Sequence, residues 1–486
     1  MLLEDTVMDN FISNETVDDS IGRRETKIVQ TQTTQLSKAT VFELNNHKNI
    51  VLKSNGVIQI EGDVPPALEI PNNAEVLIIS KDQSYLTHGI HKFPAKFFPE
   101  LPRFLIEKYS RKEETVLDPM CGSGTVILEA ILKNRNAIGI DIDPIAKLIT
   151  KVKITPLKKH QLKKAKWWLE TFTKRHSLDE TYEPPIPEFH YRDNWFKKFI
   201  LDELGTIKDG IDRILTDNAF KDFTDADKQN IHAFFTVIFS SIIRDVSNAD
   251  SHCTRTVIRK KLNKKIERGD AFKNFYNCLS KQVEKKIEFS EIYEKLTHKN
   301  VTIPENVDAR NTGLERESIP LAITSPPYIN AVDYPRTHQL ELYWLNIAKG
   351  SLSQMKRKYI GTETVYKEEY KSLRRLGYET LDPILEDLYP IDSRRAYIVY
   401  KFFEDMKINL MEIKRVLTLN GRYCIAIGNN TIGGRYIPSH EILMEIASKD
   451  VGFEIENYFH SGVINHFIKI PRKERMSGEW VIVLRK

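Results

Sequence analysis

The alternation of apolar and polar residues changes character several times along the chain. Residues 1–36 are polar, carry a Gln/Thr run (VQTQTTQ) and show little apolar periodicity, which predicts a tail or mobile arm. Residues 37–87 hold short β-rich runs (TVFEL, IVLKS, VIQIEG, EVLIIS) between Asn-Asn, Asn-Gly and Pro-Pro turn signals, the pattern of a small β-rich element. From His88 a Pro-rich stretch runs into a helix (FFPELPRFLIEKYS). ETVLDPMCGSGTVILEAILKNRNAIGIDIDP then reads as strand, Gly-rich turn, helix and second strand, a β-α-β unit of roughly 30 residues.

Residues 156–299 break this rhythm. Lys, Trp, Phe and Leu recur at helical spacing and Gly is sparse, which predicts a helical insertion with Trp167, Trp168, Trp195 and Phe196 in its core. Strand patterns return with NVTIPENVDAR and IPLAITSPPY. A polar, basic, helix-prone stretch follows at 347–395, then an apolar-rich helix (YKFFEDMKINLMEIKRVLT) expected to stop at Asn420-Gly421. GRYCIAIGN, FEIENYFHSG and WVIVLRK supply three more strands. The expected architecture is an α/β, Rossmann-like sheet formed by residues 88–155 and 300–486, interrupted by the large helical insertion.

Composition narrows the function classes. The 486 residues carry a formal net charge of +5, with 41% apolar and 29% charged residues, an ordinary globular balance with a mild basic excess. The four cysteines, Cys121, Cys253, Cys278 and Cys424, form no C-x-x-C pair, which argues against a zinc ribbon, a redox dithiol or a disulfide framework. No apolar run is long enough to span a bilayer. MLLEDTVMDN lacks the basic start and apolar stretch of a signal peptide, so a soluble, cytoplasmic protein without a membrane partner is expected.

Two loops carry candidate chemistry. DPMCGSGT, residues 118–125, lies between strand and helix. Gly122 and Gly124 let the backbone turn tightly and approach a ligand, and the following helix presents free N–H groups. About 20 residues on, the second strand ends at Asp141, where a carboxylate can accept from two ribose hydroxyls. Asp143 is a rival that suits the cap of the next helix better. Asp308, in VDAR, is either an acceptor for an adenine amino group or an ordinary turn residue. TSPPY, residues 324–328, follows a strand. Two consecutive prolines cannot continue a central ladder, so this loop leaves the carboxyl end of its strand, where open α/β sheets bind ligands.

HGIHKFPAKFFPELP (88–102), the Gly-rich loop and TSPPY together resemble the DNA methyltransferases that modify the N4 amino group of cytosine or the N6 amino group of adenine. The resemblance implies S-adenosylmethionine (SAM) as cofactor and double-stranded DNA, with the target base flipped out, as substrate. It implies cofactor contacts from Lys96, Phe98, Pro99, Asp118, Pro119, Cys121, Gly122, Gly124, Thr125, Asp141 and Asp308, and a catalytic loop of Ser325, Pro326, Pro327 and Tyr328. The order of the motifs places a target-recognition region between the two halves, at 156–299, with 347–395 as a competitor. Members with Ser at the first loop position mostly act on cytosine N4, so Ser325 favours that base over adenine N6. No metal is required. Cys121 sits where the cofactor binds and is read as a small buried residue, not a nucleophile.

The chemistry suits these residue types. An exocyclic base nitrogen is a weak nucleophile because its lone pair is delocalised into the ring. Acceptors aimed at its two N–H groups, such as Ser325 Oγ and the Pro326 carbonyl, favour a pyramidal nitrogen. Tyr328 can stack on a flipped base. Arg255, Arg259, Lys260 and Lys261 are candidate phosphate contacts, or else one solvated basic face. Tyr334 and Arg336 either line the base pocket or serve packing. Three alternatives stay open: adenine N6 as target, an RNA methyltransferase acting on a guanine amino group, and a non-catalytic DNA-recognition subunit. A partner from a restriction or other defence system fits the family.

Overall fold

The computed structural model describes residues 28–30, 39–44, 47–54, 57–251, 253–259, 264–329, 332–347, 351–463 and 478–486. Its centre is a twelve-stranded mixed sheet. In chain order the strands are β1 (Ile28–Gln30), β2 (Ala39–Leu44), β3 (His47–Ser54), β4 (Val57–Glu61), β5 (Ala74–Ile79), β6 (Thr115–Asp118), β7 (Asn136–Gly139), β8 (Val301–Thr302), β9 (Ile319–Thr324), β10 (Leu417–Ile427), β11 (Asn430–Ile432), β12 (Arg435–Ile437), β13 (Glu454–Val463) and β14 (Gly478–Arg485). β11 and β12 form a separate hairpin. The rest run in the order β1-β2-β3-β4-β5-β13-β14-β10-β9-β6-β7-β8.

β10, β9, β6, β7 and β8 are mutually parallel, and β14 is antiparallel to both β10 and β13. This is the Rossmann-like sheet expected from the sequence, with one reversed strand. Residues 37–87 do not stand apart from it. β5 pairs in parallel with β13 and carries β4 and its neighbours as an extension of the same sheet. Consecutive buried side chains explain why the central strands take this place: Val116 and Leu117 on β6, Leu321 to Ile323 on β9, and Tyr423 to Ile427 on β10 are all covered.

Helices cover both faces. α1 (Glu100–Tyr109), α2 (Thr125–Leu132) and α3 (Pro144–Ile154) belong to the first half. α4 (Lys159–His176) and the helices Lys198–Arg213, Asp225–Ile243 and Asp270–Glu294 make up the insertion and share one apolar core with residues of α3 and with Leu340, Leu342 and Trp344. Phe196 is buried there and Trp168 and Trp195 pack against it. Trp167 does not: it is 66% exposed, because the helical period that buries Leu162, Ala165 and Leu169 turns position 167 to solvent.

Two further expectations are corrected. The helix Ser393–Val416 ends at Val416, and Asn420-Gly421 fall inside β10. There Asn420 adopts φ +59° and the register against β9 shifts between Leu417 and Arg422, so the turn signal marks a bulge, not a helix stop. The strand anticipated through NVTIPENVDAR is only the pair Val301–Thr302, and Asp308 lies in irregular backbone beyond it.

A buried ionic cluster ties the segment before α1 to α2. Glu129 accepts from His88 Nε2 at 2.7 Å and from Arg103 Nε at 2.8 Å, and Tyr85 donates its hydroxyl to the same carboxylate. Burial alone would raise the Glu129 pKa, but the His88 hydrogen bond and the Arg103 charge outweigh it and hold the group at about 2. Burial depresses His88 to about 4 despite the favourable Glu129 contact, so His88 is a neutral donor at pH 7. Both groups bind protons more readily in the unfolded chain, so stability falls on acidification, first through the histidine window between about 6.5 and 4, then through the carboxylate window below about 4.5. Urea titrations across pH should show both steps. His88→Gln, which keeps a donor, should remove the first step, and Glu129→Ala should cost about 3–5 kcal/mol at pH 7.

Candidate active site

A cleft of about 810 Å³ opens at the carboxyl ends of β6, β7 and β9. Asp118 ends β6, and the loop after it turns through Gly122 (φ +49°) and Gly124 (φ +73°) into α2. A Cβ on Gly124 would sit 2.6 Å from Thr150 Cγ2, so this position admits only glycine without movement of α3. Thr150 Oγ1 in turn donates to the Gly122 carbonyl at 2.9 Å. The loop is therefore held from below by α3 and open above.

Asp141, just past β7, accepts from Gly122 N and from Asp143 N, each at 2.8 Å. Asp143 caps α3 through Ile145 N and Ala146 N. Burial, reinforced by Asp143, pushes Asp141 up to about 7. Asp118 accepts from Thr324 Oγ1 at 2.9 Å and from Met120 N at 3.2 Å, and burial raises it to about 7 as well. The Thr324 bond joins the Gly-rich loop to the residue preceding Ser325, across a distance of 206 positions in the chain.

Lys96, Asp118, Pro119, Cys121, Gly122, Thr125, Asp141, Asp308, Ser325, Pro327 and Tyr334 all line the cleft. The Lys96 ammonium is engaged by the carbonyls of Gln83 and His88, at 3.0 and 2.6 Å, so its stem and not its charge faces the cavity. Cys121 is buried between the Gly139 backbone and Thr150, and burial with the two nearby aspartates drives its thiol pKa well up, as suits an inert packing residue. Asp308 stands at the rim with its carboxylate gripped by Arg310 at 2.6 Å. Gly124 shapes the turn from beneath.

Other expected residues lie elsewhere. Phe98 is 7% exposed and points into the core beneath β6, and Pro99 leads into α1. Phe93 and Phe97 take the lining positions instead, and Phe93 stacks on Tyr334 at 5.5 Å. The turn before α1 puts Phe97 at the cleft and Phe98 in the core. Tyr359 and Ile360 also line the cleft. They come from the polar stretch at 347–395, where nothing in the local pattern marks them.

A second hollow of about 430 Å³ adjoins the first across Tyr334, Tyr359 and Ile360. Arg255 and Lys356 are on its wall, paired with Glu363 at 3.6 Å and Asp333 at 2.6 Å. Arg259 is half exposed and contacts Asp250 at 3.2 Å. Arg336 is exposed and lines neither hollow. Lys260 and Lys261 lie outside the described residues. Tyr328 lies deeper, its hydroxyl bonded to Glu479 on β14. Among the described residues no cluster of His, Cys, Asp and Glu is arranged to hold a metal ion, and no helix is long and apolar enough to cross a membrane.

The model of the N6/N4 DNA methylase family matches residues 33–151, which include the Gly-rich loop and Asp141. Over that segment the chain is similar to this family. The type II methyltransferase M.MvaI of Kocuria varians is 23% identical over 426 residues, spanning 84% of this chain and 89% of its own. M.BsoBI of Geobacillus stearothermophilus is 24% identical over 338 residues, covering 62% and 61%. M.MjaI of Methanocaldococcus jannaschii reaches 45% identity over a local 65 residues, 13% of this chain and 22% of its own.

The protein is a SAM-dependent N6/N4 DNA methyltransferase. The cleft fits that cofactor: a Gly-rich turn too close-packed to hold side chains, a strand-end carboxylate, and aromatic and aliphatic walls.

Two tests follow from this geometry. Gly124→Ala should destabilise the fold by about 1–3 kcal/mol in chemical denaturation and weaken SAM binding, because a methyl group must displace Thr150 at an unfavourable φ. Only the ionised Asp141 carboxylate offers all its lone pairs to ribose hydroxyls, so SAM affinity measured by calorimetry should strengthen as pH rises through about 7. Asp141→Asn should bind weakly and flatten that dependence.

Proposed function

We propose that this methyltransferase modifies the N4 amino group of cytosine in double-stranded DNA at one short sequence. The observation that carries the reading is Ser325, which lines the cofactor cleft at the end of β9 and is tied through Thr324 to the Gly-rich loop. Bound SAM supplies an electrophilic methyl group. The chain's own residues position and desolvate the nucleophile. Ser325 Oγ and the Pro326 carbonyl accept from the two amino N–H groups, which localises the nitrogen lone pair toward the cleft. The Pro326-Pro327 pair holds that loop rigid. Tyr328 offers a ring face to a base rotated out of the duplex.

The helical insertion and the second hollow beside Tyr334 supply the DNA side, with Arg255, Arg259 and Lys356 as cations for the backbone. The type II methyltransferases to which the chain is similar support a place in restriction–modification, with a nuclease reading the same sequence as counterpart.

Mapping modified bases in DNA from cells expressing the protein, beside a Ser325→Ala control, tests this directly. The expected result is N4-methylcytosine at a single motif, lost in the control. N6-methyladenine would overturn the assignment of the base while leaving the site in place. Unmodified DNA in both samples, with SAM binding intact, would overturn the assignment of DNA as sufficient substrate.

A further inference from the structure

β14 runs antiparallel to β10, pairing Trp480 with Ile427, while β9 runs parallel to it, pairing Thr324 with Ile425. The amino end of β14 therefore lies at the same edge of the sheet as the S-P-P-Y loop. Glu479 is there. Its backbone is fixed on the β13 side by pairing with Ser461, and Trp480 beside it is stacked on His440 with ring centroids 4.0 Å apart. The carboxylate accepts the Tyr328 hydroxyl through Oε1, and Oε2 is buried without a hydrogen-bond partner among the described residues.

A buried carboxyl is costly to the fold, and the hydrogen-bond partner of this one is a residue of the catalytic loop. Burial raises its proton affinity, with the Tyr328 bond opposing. Pro326 and Pro327 restrict the backbone leading to Tyr328 but leave its side-chain torsions free. A hydrogen bond from the ring's far end to a strand residue removes that freedom. We propose that Glu479 is a positioning residue for methyl transfer, acting through Tyr328: it locks the tyrosine ring in the orientation that receives the flipped base. The proposal rests on the reading of residues 325–328 as the catalytic loop.

The test uses the full-length protein, a duplex carrying the mapped target sequence whichever base is modified, and the variants Tyr328→Phe, Glu479→Ala, Glu479→Gln and Tyr328→Phe/Glu479→Ala. Three quantities are read: kcat for methylation, SAM affinity, and fluorescence of 2-aminopurine placed at the target base. Tyr328→Phe and Glu479→Ala should each lower kcat about tenfold and reduce the fluorescence rise, with SAM affinity unchanged. The double variant should be no worse than either single one. Glu479→Gln, whose amide oxygen still accepts the hydroxyl, should recover most of the activity.

Additive losses, wild-type kcat in Glu479→Ala, or Glu479→Gln as impaired as Glu479→Ala would each overturn the proposal. Should Glu479→Ala fail to fold, Tyr328→Phe must still lose activity and Glu479→Gln must still keep it. Ser325→Ala run alongside separates the outcomes: full activity in that variant would sink the catalytic-loop reading itself, independently of Glu479.

Discussion

The hydrogen bond from Thr324 to Asp118 is the constraint on which the site depends. It spans the carboxyl ends of two adjacent parallel strands, β9 and β6, and each strand then releases a loop. One loop borders the cleft through Gly122, and the other presents Ser325 to it. Methyl transfer needs donor and acceptor within near-attack distance, and rigid placement contributes much of the rate of such a reaction. Here the placement is a property of the sheet. Two side chains in a buried, low-dielectric position make the link, so a small shift in β9 would be felt at both loops at once.

The same logic explains the polar groups buried around the cleft. Asp118 accepts two hydrogen bonds on one oxygen and Asp141 one on each, and burial raises both to about 7. Both line the cleft. Glu129 is the opposite case. It is fully paired by His88, Arg103 and Tyr85, stays ionised, and acts as a fastener that keeps the Phe93–Phe97 wall over the cavity. The three carboxyls are all buried, and it is the cationic and hydroxyl partners of Glu129 that set it apart.

Much of this was legible in the sequence because it depends on local rules. The β6-turn-α2-β7 unit is marked by strand, glycine and helix signals at fixed offsets, and the prolines after Thr324 can only end a strand. Those rules put Gly122, Asp141 and Ser325 at strand ends, and the three line one cleft. They failed where tertiary geometry decides. Phe98 and Phe97 are adjacent in the same stretch, and only the turn into α1 determines which ring faces the cleft. Asn420-Gly421 has the composition of a helix stop, yet the strand pairing of β10 with β9 and β14 absorbs it as a bulge. Tyr359 and Glu479 are invisible locally, because each matters only through a neighbour that the chain reaches after a long excursion.

The excursions are themselves informative. The insertion enters after α3 and returns at β8, so it hangs from the same edge of the sheet that carries Asp141. Its core continues through Leu340, Leu342 and Trp344, residues that follow the S-P-P-Y loop. Thr256 donates to the Thr337 carbonyl at 2.7 Å, and Phe93 stacks on both Tyr334 and His338. The helices therefore share packing with the segment directly downstream of S-P-P-Y. A DNA duplex gripped by the insertion would be coupled, through buried contacts, to the position of Tyr334 between the two hollows. That shared packing explains why so large a helical unit can be inserted into the fold without being set apart from the cleft.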